Sequence, residues 1–181
     1  PVILLDRPNP NGYYNDGPIL RPKFKSFVGI GPLPLVHGMT IGEMAQLFNG
    51  EKWLADSVKC ILSVIPCKNY KHDDHYILPV KPSPNLQTAR AVTLYPSLGL
   101  FEGTVISVGR GTASPFDVIG NPKLDSTLFS FTPEARPGAM NPPFLNKKCY
   151  GYNLTEDSTD RFSIGFLIKM YKGIIYKKNY Y

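Results

Sequence analysis

The chain has 181 residues, 43% hydrophobic and 19% charged, a balance that excludes an intrinsically disordered polypeptide. No apolar run reaches the ~18 residues of a membrane span. The formal charge is +6, yet all fourteen acids and fifteen of the twenty basic residues precede Arg161; with no recognition motif beside this tail-borne excess, a nucleic-acid partner is rejected.

Eighteen prolines and sixteen glycines predict short elements joined by many turns. Eleven tyrosines and ten phenylalanines suit a loop-built pocket with aromatic faces, and equally an ordinary core. Three cysteines, Cys60, Cys67 and Cys149, fit no metal or redox spacing and permit at most one disulfide.

Val2 to Leu5 is a continuous apolar run of the kind found in buried parallel strands, with ligand-facing positions at the carboxyl end. Pro8 and Pro10 stop it, leaving Asp6, Arg7 and Asn9 on a stiff loop. Pro1 is not a natural start residue, and a leading strand with no helix before it reads as a chain caught in mid-fold. Asn11 to Pro22 reads as a loop. Thr40 to Asn49 is a helix opened by a Thr40/Glu43 capping box and closed by Asn49-Gly50. Lys59 to Ile65 reads as a strand stopped by Pro66, and Pro82 to Asn85 as a rigid turn. A short helix is predicted from Thr88 to Tyr95, ended by Pro96. Thr104 to Val108 reads as a β run followed by a glycine-flanked turn around Arg110. Turns and a short helical segment are expected between Phe116 and Phe131, then a proline-rich connection from Pro133 to Pro143. Ser163 to Lys172 has helical spacing, with Gly173 as its stop.

Several residues carry chemistry. Glu102, beside Leu98, Leu100 and Phe101, reads either as a general acid raised by partial burial or as a structural residue that pairs with Arg110 or caps a backbone turn. His37, just before a helix N-terminus, reads as a neutral imidazole facing a ligand or as a backbone hydrogen-bonding residue. His72-Asp73-Asp74-His75 has metal-like composition but lacks a rigid third ligand, so it is read as a solvated loop with no metal site. Asn153-Leu154-Thr155 matches a glycosylation sequon. No nucleophile elbow, Walker loop or dinucleotide fingerprint occurs, and no cofactor is called for.

Leu5-Asp-Arg-Pro-Asn-Pro10, His37-Gly-Met-Thr-Ile-Gly-Glu43, Pro82-Ser-Pro-Asn85, Glu102-Gly-Thr104, Ser107-Val-Gly-Arg-Gly-Thr112 and Pro115-Phe116, in this order, resemble the NamZ-type exo-β-N-acetylmuramidase family, over a span from Pro1 to about Lys172. The resemblance, taken as covering the family's C-terminal part only, implies an α/β fold. A mixed α+β C-terminal domain (23–181) carrying the substrate cleft would follow the last strand of a Rossmann-like domain and its linker (1–22). It implies a peptidoglycan glycosidase that removes N-acetylmuramic acid from non-reducing ends during cell-wall recycling, in a secreted or periplasmic bacterial protein. Its partners would be peptidoglycan-derived saccharides and a missing N-terminal domain; the alternative is a non-catalytic saccharide-binding module. Glu102 would be the acid in this chain, and Asp6, Arg7, Asn9, His37, Asn85, Arg110 and Thr112 the substrate-binding residues. Arg110 is the first choice for the lactyl carboxylate because a planar guanidinium binds it bidentately. The family's favoured catalytic Glu lies in a Glu-His-Gly motif of the N-terminal half, which this sequence does not contain.

Overall fold

The computed structural model describes residues 1–178, with side chains described through Ile174. Two compact units are present, Pro1–Ile77 and a second from Leu78 onward.

In the first unit, β1 (Val2–Leu5) pairs in parallel with β4 (Leu62–Ile65), Leu4 opposite Val64. This pairing places residues 62–65 in the same unit as β1; the two units divide at 77/78, and the sequence reading divides the chain at 22/23. Leu4, Leu62 and Val64 are half-buried, while Ile3 and Leu5 on the alternate face are 73% and 71% exposed. The segment read as a loop contains β2 (Asp16–Ile19), antiparallel to β3 (Pro34–Val36). Both strands carry proline, which masks a strand in sequence because proline donates no ladder bond. Helix α1 (Ile41–Gly50) forms as expected, with both halves of the Thr40/Glu43 capping box made.

The second unit holds the main apolar core. Helix α2 (Ala89–Leu98) runs on through Pro96, and a 3₁₀ turn (Gly99–Phe101) follows it. Proline costs a helix interior about 3 kcal/mol. Here that cost is met by burial, because Leu94, Leu98 and Phe101 are all fully buried. Thr104 to Val108 is not a strand: Thr104 Oγ1 donates to the Phe101 carbonyl and accepts from Ile106 N–H, and only Ser107 bridges Gly120. A three-stranded antiparallel sheet, ordered β5 (Val118–Asn121), β7 (Cys149–Asn153), β6 (Phe129–Phe131), replaces the helical segment expected near residues 116–131. Helix α3 (Gly165–Lys178) passes through Gly173, with Phe166 and Met170 buried against the core and Ile174 packed at its margin. All three cysteines are free thiols, and burial pushes Cys149 up to about 11.

Gly120 faces Gly151 across the β5–β7 ladder. A Cβ at Gly151 would lie 2.6 Å from the Gly120 Cα and closer still to the Ile119 carbonyl oxygen, both backbone atoms that cannot swing aside. Gly151→Ala is therefore expected to lower stability in denaturant unfolding by about 2–3 kcal/mol. Gly50→Ala, at a position with no heavy atom within 4 Å of a new Cβ, is expected to be neutral or to raise stability by up to about 1 kcal/mol. Equal effects at the two sites would contradict the close approach.

Candidate functional site

The first unit builds its site around the N-terminus of α1. The Thr40 hydroxyl accepts from the Glu43 N–H at 3.2 Å, and Glu43 Oε2 accepts from the Thr40 N–H at 2.8 Å. That reciprocal bonding points the Glu43 carboxylate back across the helix start. Its other oxygen, Oε1, lies 2.8 Å from His72 Nε2, and His72 Nδ1 is 3.3 Å from the Gly12 carbonyl oxygen. Both ring nitrogens of His72 face acceptors, which suits the imidazolium. The bond to Glu43 holds His72 above its usual range against the opposing effect of burial. Burial works to raise Glu43, but its bonds from His72 and Thr40 outweigh this and hold it below the usual carboxylate range.

These groups border a cleft of about 640 Å³ whose walls include Tyr13, His37, Met39, Glu43, Leu47 and His72. His37 Nδ1 accepts from the Met39 N–H at 3.1 Å, and burial pushes the ring below its usual range. A neutral ring accepting at Nδ1 carries its proton on Nε2, so His37 is a hydrogen-bond donor at the cleft wall. Of the two readings of His37, the backbone hydrogen bond is the one the structure contains. Tyr13 packs against His75, ring centroids 4.2 Å apart.

The strand-end residues support this wall. Asp6 accepts from the Thr40 hydroxyl (Oδ2, 2.8 Å) and from the Gly42 N–H (Oδ1, 2.8 Å), so its carboxylate holds the start of α1. Asn9 donates from Nδ2 to the Met39 carbonyl at 2.9 Å, and its own carbonyl accepts from the Tyr70 hydroxyl at 3.2 Å. Arg7 is exposed.

In the second unit, Glu102, Arg110 and Thr112 share one loop. Gly109 (φ 76°) and Gly111 (φ 82°) occupy the left-handed region and make the turn that carries Arg110. Arg110 Nε and Nη2 both donate to Glu102 Oε1, at 2.9 and 2.5 Å, and the guanidinium lies 5.4 Å from the Phe116 ring centroid. This is the structural-partner arrangement that the sequence left open beside the general-acid reading of Glu102. Thr112 bonds locally to the Gly109 carbonyl and the Ser114 N–H. Asn85 is buried and donates to the Gly138 carbonyl at 2.9 Å. His37 therefore sits with Glu43 and His72, while Asn85 belongs to a different loop contact from Glu102, Arg110 and Thr112.

Glu43 and His72 escaped the sequence reading because each had a complete local explanation, one as a capping residue and the other in a polar loop. The available signal was the N3 position itself, which aims a carboxylate at the His37-Gly38-Met39 segment preceding the cap. Among the described residues, no group of three or more His, Cys, Asp or Glu side chains is arranged to hold a metal ion.

Two models of one family match the chain consecutively: exo-β-N-acetylmuramidase NamZ, N-terminal, over residues 1–90, and its C-terminal counterpart over residues 93–177. The chain belongs to the NamZ family. Because the N-terminal match extends to residue 90, the chain is not confined to the family's C-terminal part, which corrects that expectation. The NamZ protein of Bacillus subtilis (strain 168), a peptidoglycan β-N-acetylmuramidase, is 42% identical over 178 residues, covering 90% of this chain and 42% of that protein. A crystal structure of a DUF1343 family protein from Bacteroides fragilis is 52% identical with a TM-score of 0.90, covering 95% of this chain and 50% of that one. A second from the same organism shares the fold at 24% identity and a TM-score of 0.70, covering 83% of this chain and 43% of that one. The chain thus spans half or less of the length of each of these relatives.

The Glu43–His72 pair has a direct titration test within this NamZ-family chain. Raised above its ordinary value, His72 contributes stability that is present below pH ~6.5 and lost as pH rises through its folded pKa. Glu43, lowered, contributes stability that is present above pH ~4.5 and lost as pH falls through its folded pKa. Imidazole titration followed by NMR should place His72 above a free histidine, and E43Q should bring it down. An unchanged His72 titration in E43Q would show that the pair does not form.

Proposed function

We propose that this chain forms part of a secreted or periplasmic bacterial peptidoglycan glycosidase acting as an exo-β-N-acetylmuramidase. In this reading it releases N-acetylmuramic acid from the non-reducing end of cell-wall saccharides during recycling. The observation that carries the reading is the consecutive match of both NamZ family models across residues 1–177. The peptidoglycan β-N-acetylmuramidase of Bacillus subtilis, at 42% identity, supports it. The parallel β1–β4 pair with α1 on one side is consistent with the margin of a Rossmann-like domain.

The chemistry asks for groups that hold an N-acetylated, carboxylate-bearing sugar and move protons at the glycosidic oxygen. Glycosidases commonly use two carboxyl groups, with substrate-assisted exceptions in which an acetamido group takes one role. Asp6 and Glu102 are both engaged by neighbours, Asp6 at the start of α1 and Glu102 with Arg110. Arg110 is assigned as the lactyl-carboxylate clamp: it is glycine-flanked and oriented by Glu102, whose Oε1 accepts from Nε and Nη2, and the donors not engaged there would meet the ligand. Glu102 is assigned as its supporting acid.

A chain extended upstream to the length of its relatives should release free N-acetylmuramic acid from a chromogenic muramide. No release would remove the glycosidase reading, and binding without release would favour the saccharide-binding module. Arg110→Lys should weaken N-acetylmuramic acid binding by about tenfold while N-acetylglucosamine binding, which involves no lactyl carboxylate, stays unchanged. Equal loss for both sugars would remove Arg110 from that role.

A further inference from the structure

We propose that the loop joining β2 and β3 docks the chain on an anionic lipid surface, with Phe27 and Val28 entering the headgroup boundary and Arg21, Lys23 and Lys25 meeting the lipid phosphates. The inference stands on this loop and is independent of the glycosidase reading. The loop is built, not slack. Leu20 N–H donates to the Leu33 carbonyl at 3.1 Å, closing its base beside the Ile19–Pro34 pairing. Trp53 packs on Gly31, where a Cβ would run into its ring. At the far end Ser26 and Gly29 exchange both backbone hydrogen bonds, at 2.9 and 3.2 Å, which leaves Phe27 and Val28 as a two-residue tip. Those two side chains are 98% and 94% exposed, and Phe24, in the 3₁₀ turn Pro22–Phe24, is 62% exposed. Turn tips ordinarily carry Gly, Asn or Asp. Here a closed turn holds two large apolar groups in solvent, and an exposed apolar patch rimmed by polar residues marks an interaction site.

Charge and size select the occupant. No Asp or Glu occurs between Gly17 and Gly42, while Arg21, Lys23 and Lys25 are all exposed. Among the described residues none of these three pairs with a carboxylate. Lys23 Nζ lies 4.9 Å from the Phe24 ring centroid, so cationic and apolar groups share one end of the loop. Clustered cations of this kind are attracted to anionic headgroups. A stable protein interface takes ~800 Å² from each partner, whereas an aromatic side chain supplies about 150–250 Å², and the tip carries only one. A lipid boundary needs no larger matching surface. It accepts the apolar tip, and the lysine stems lie along its apolar zone while their ammonium groups stay with the phosphates.

The test is co-sedimentation of the 181-residue chain with vesicles of equal parts phosphatidylglycerol and phosphatidylcholine. The chain should bind these vesicles, and bind phosphatidylcholine alone about tenfold more weakly. Phe27→Ser combined with Val28→Ser should lower binding about tenfold with circular dichroism and thermal unfolding unchanged, because both side chains face solvent. Lys23→Ser combined with Lys25→Ser should lower binding to the anionic vesicles and leave the weak binding to phosphatidylcholine as it is. No binding to anionic vesicles, or equal binding by the Phe27/Val28 double variant, would overturn the proposal. Self-association that depends on the tip, without vesicle binding, would assign the loop to a second copy of the chain and overturn it too. The chain extended upstream is tested on the same vesicles: retained binding supports the proposal, and lost binding would show the tip covered by the rest of the protein and overturn it.

Discussion

The Asp6 carboxylate, at the end of β1, reaches the first turn of α1 and accepts from the Thr40 hydroxyl and the Gly42 N–H. The first unit has few buried apolar side chains, so polar ties of this kind fix its geometry. A helix N-terminus presents unpaired N–H groups and partial positive charge, and a carboxylate there satisfies both needs. Thr40 accepts from Glu43 and donates to Asp6, so the cap has a fixed orientation. Glu43 follows from Thr40, and His72 follows from Glu43. A strand end, a helix start and the loop at residues 70–76 are thereby joined through four side chains, and the cleft wall is their by-product.

The second unit is organised by a different force. Ala91, Leu94, Leu98, Phe101, Phe116 and Ile119 are fully or almost fully buried in one cluster, and α2 holds its form through Pro96 because that cluster outweighs the lost backbone bond. The facing Gly120 and Gly151 bring β5 and β7 to a separation no side chain permits. The Arg110 loop lies on this apolar base, with Phe116 buried beneath its guanidinium. Rigidity beneath and a polar group above is the arrangement expected where a loop has to present a cation in a fixed direction.

Legibility from sequence tracked how local the determining interactions are. The capping box of α1, the parallel-type β1 and the left-handed glycines around Arg110 depend on near neighbours and were readable as written. β2, β3 and β7 were hidden because proline or glycine interrupts their pattern, and their pairing partners lie far along the chain. Pro96 and Gly173 were read as stops because local propensity says so, and packing against the second unit's core overrode them. At the candidate site the same division holds. Arg110 was visible in its glycine frame, whereas the Glu43–His72 pairing spans residues 43 to 72 and no spacing rule reveals it.

The proposed chemistry rests on family membership and on one guanidinium: Arg110, held by Glu102, would read the lactyl carboxylate of N-acetylmuramic acid. A crystal structure of this chain with N-acetylmuramic acid tests it most directly. The sugar is expected at the Arg110 loop, with a lactyl carboxylate oxygen within ~3 Å of the guanidinium and the Glu102–Arg110 contact intact. A sugar bound away from Arg110, or with its carboxylate turned from the guanidinium, would contradict that chemistry.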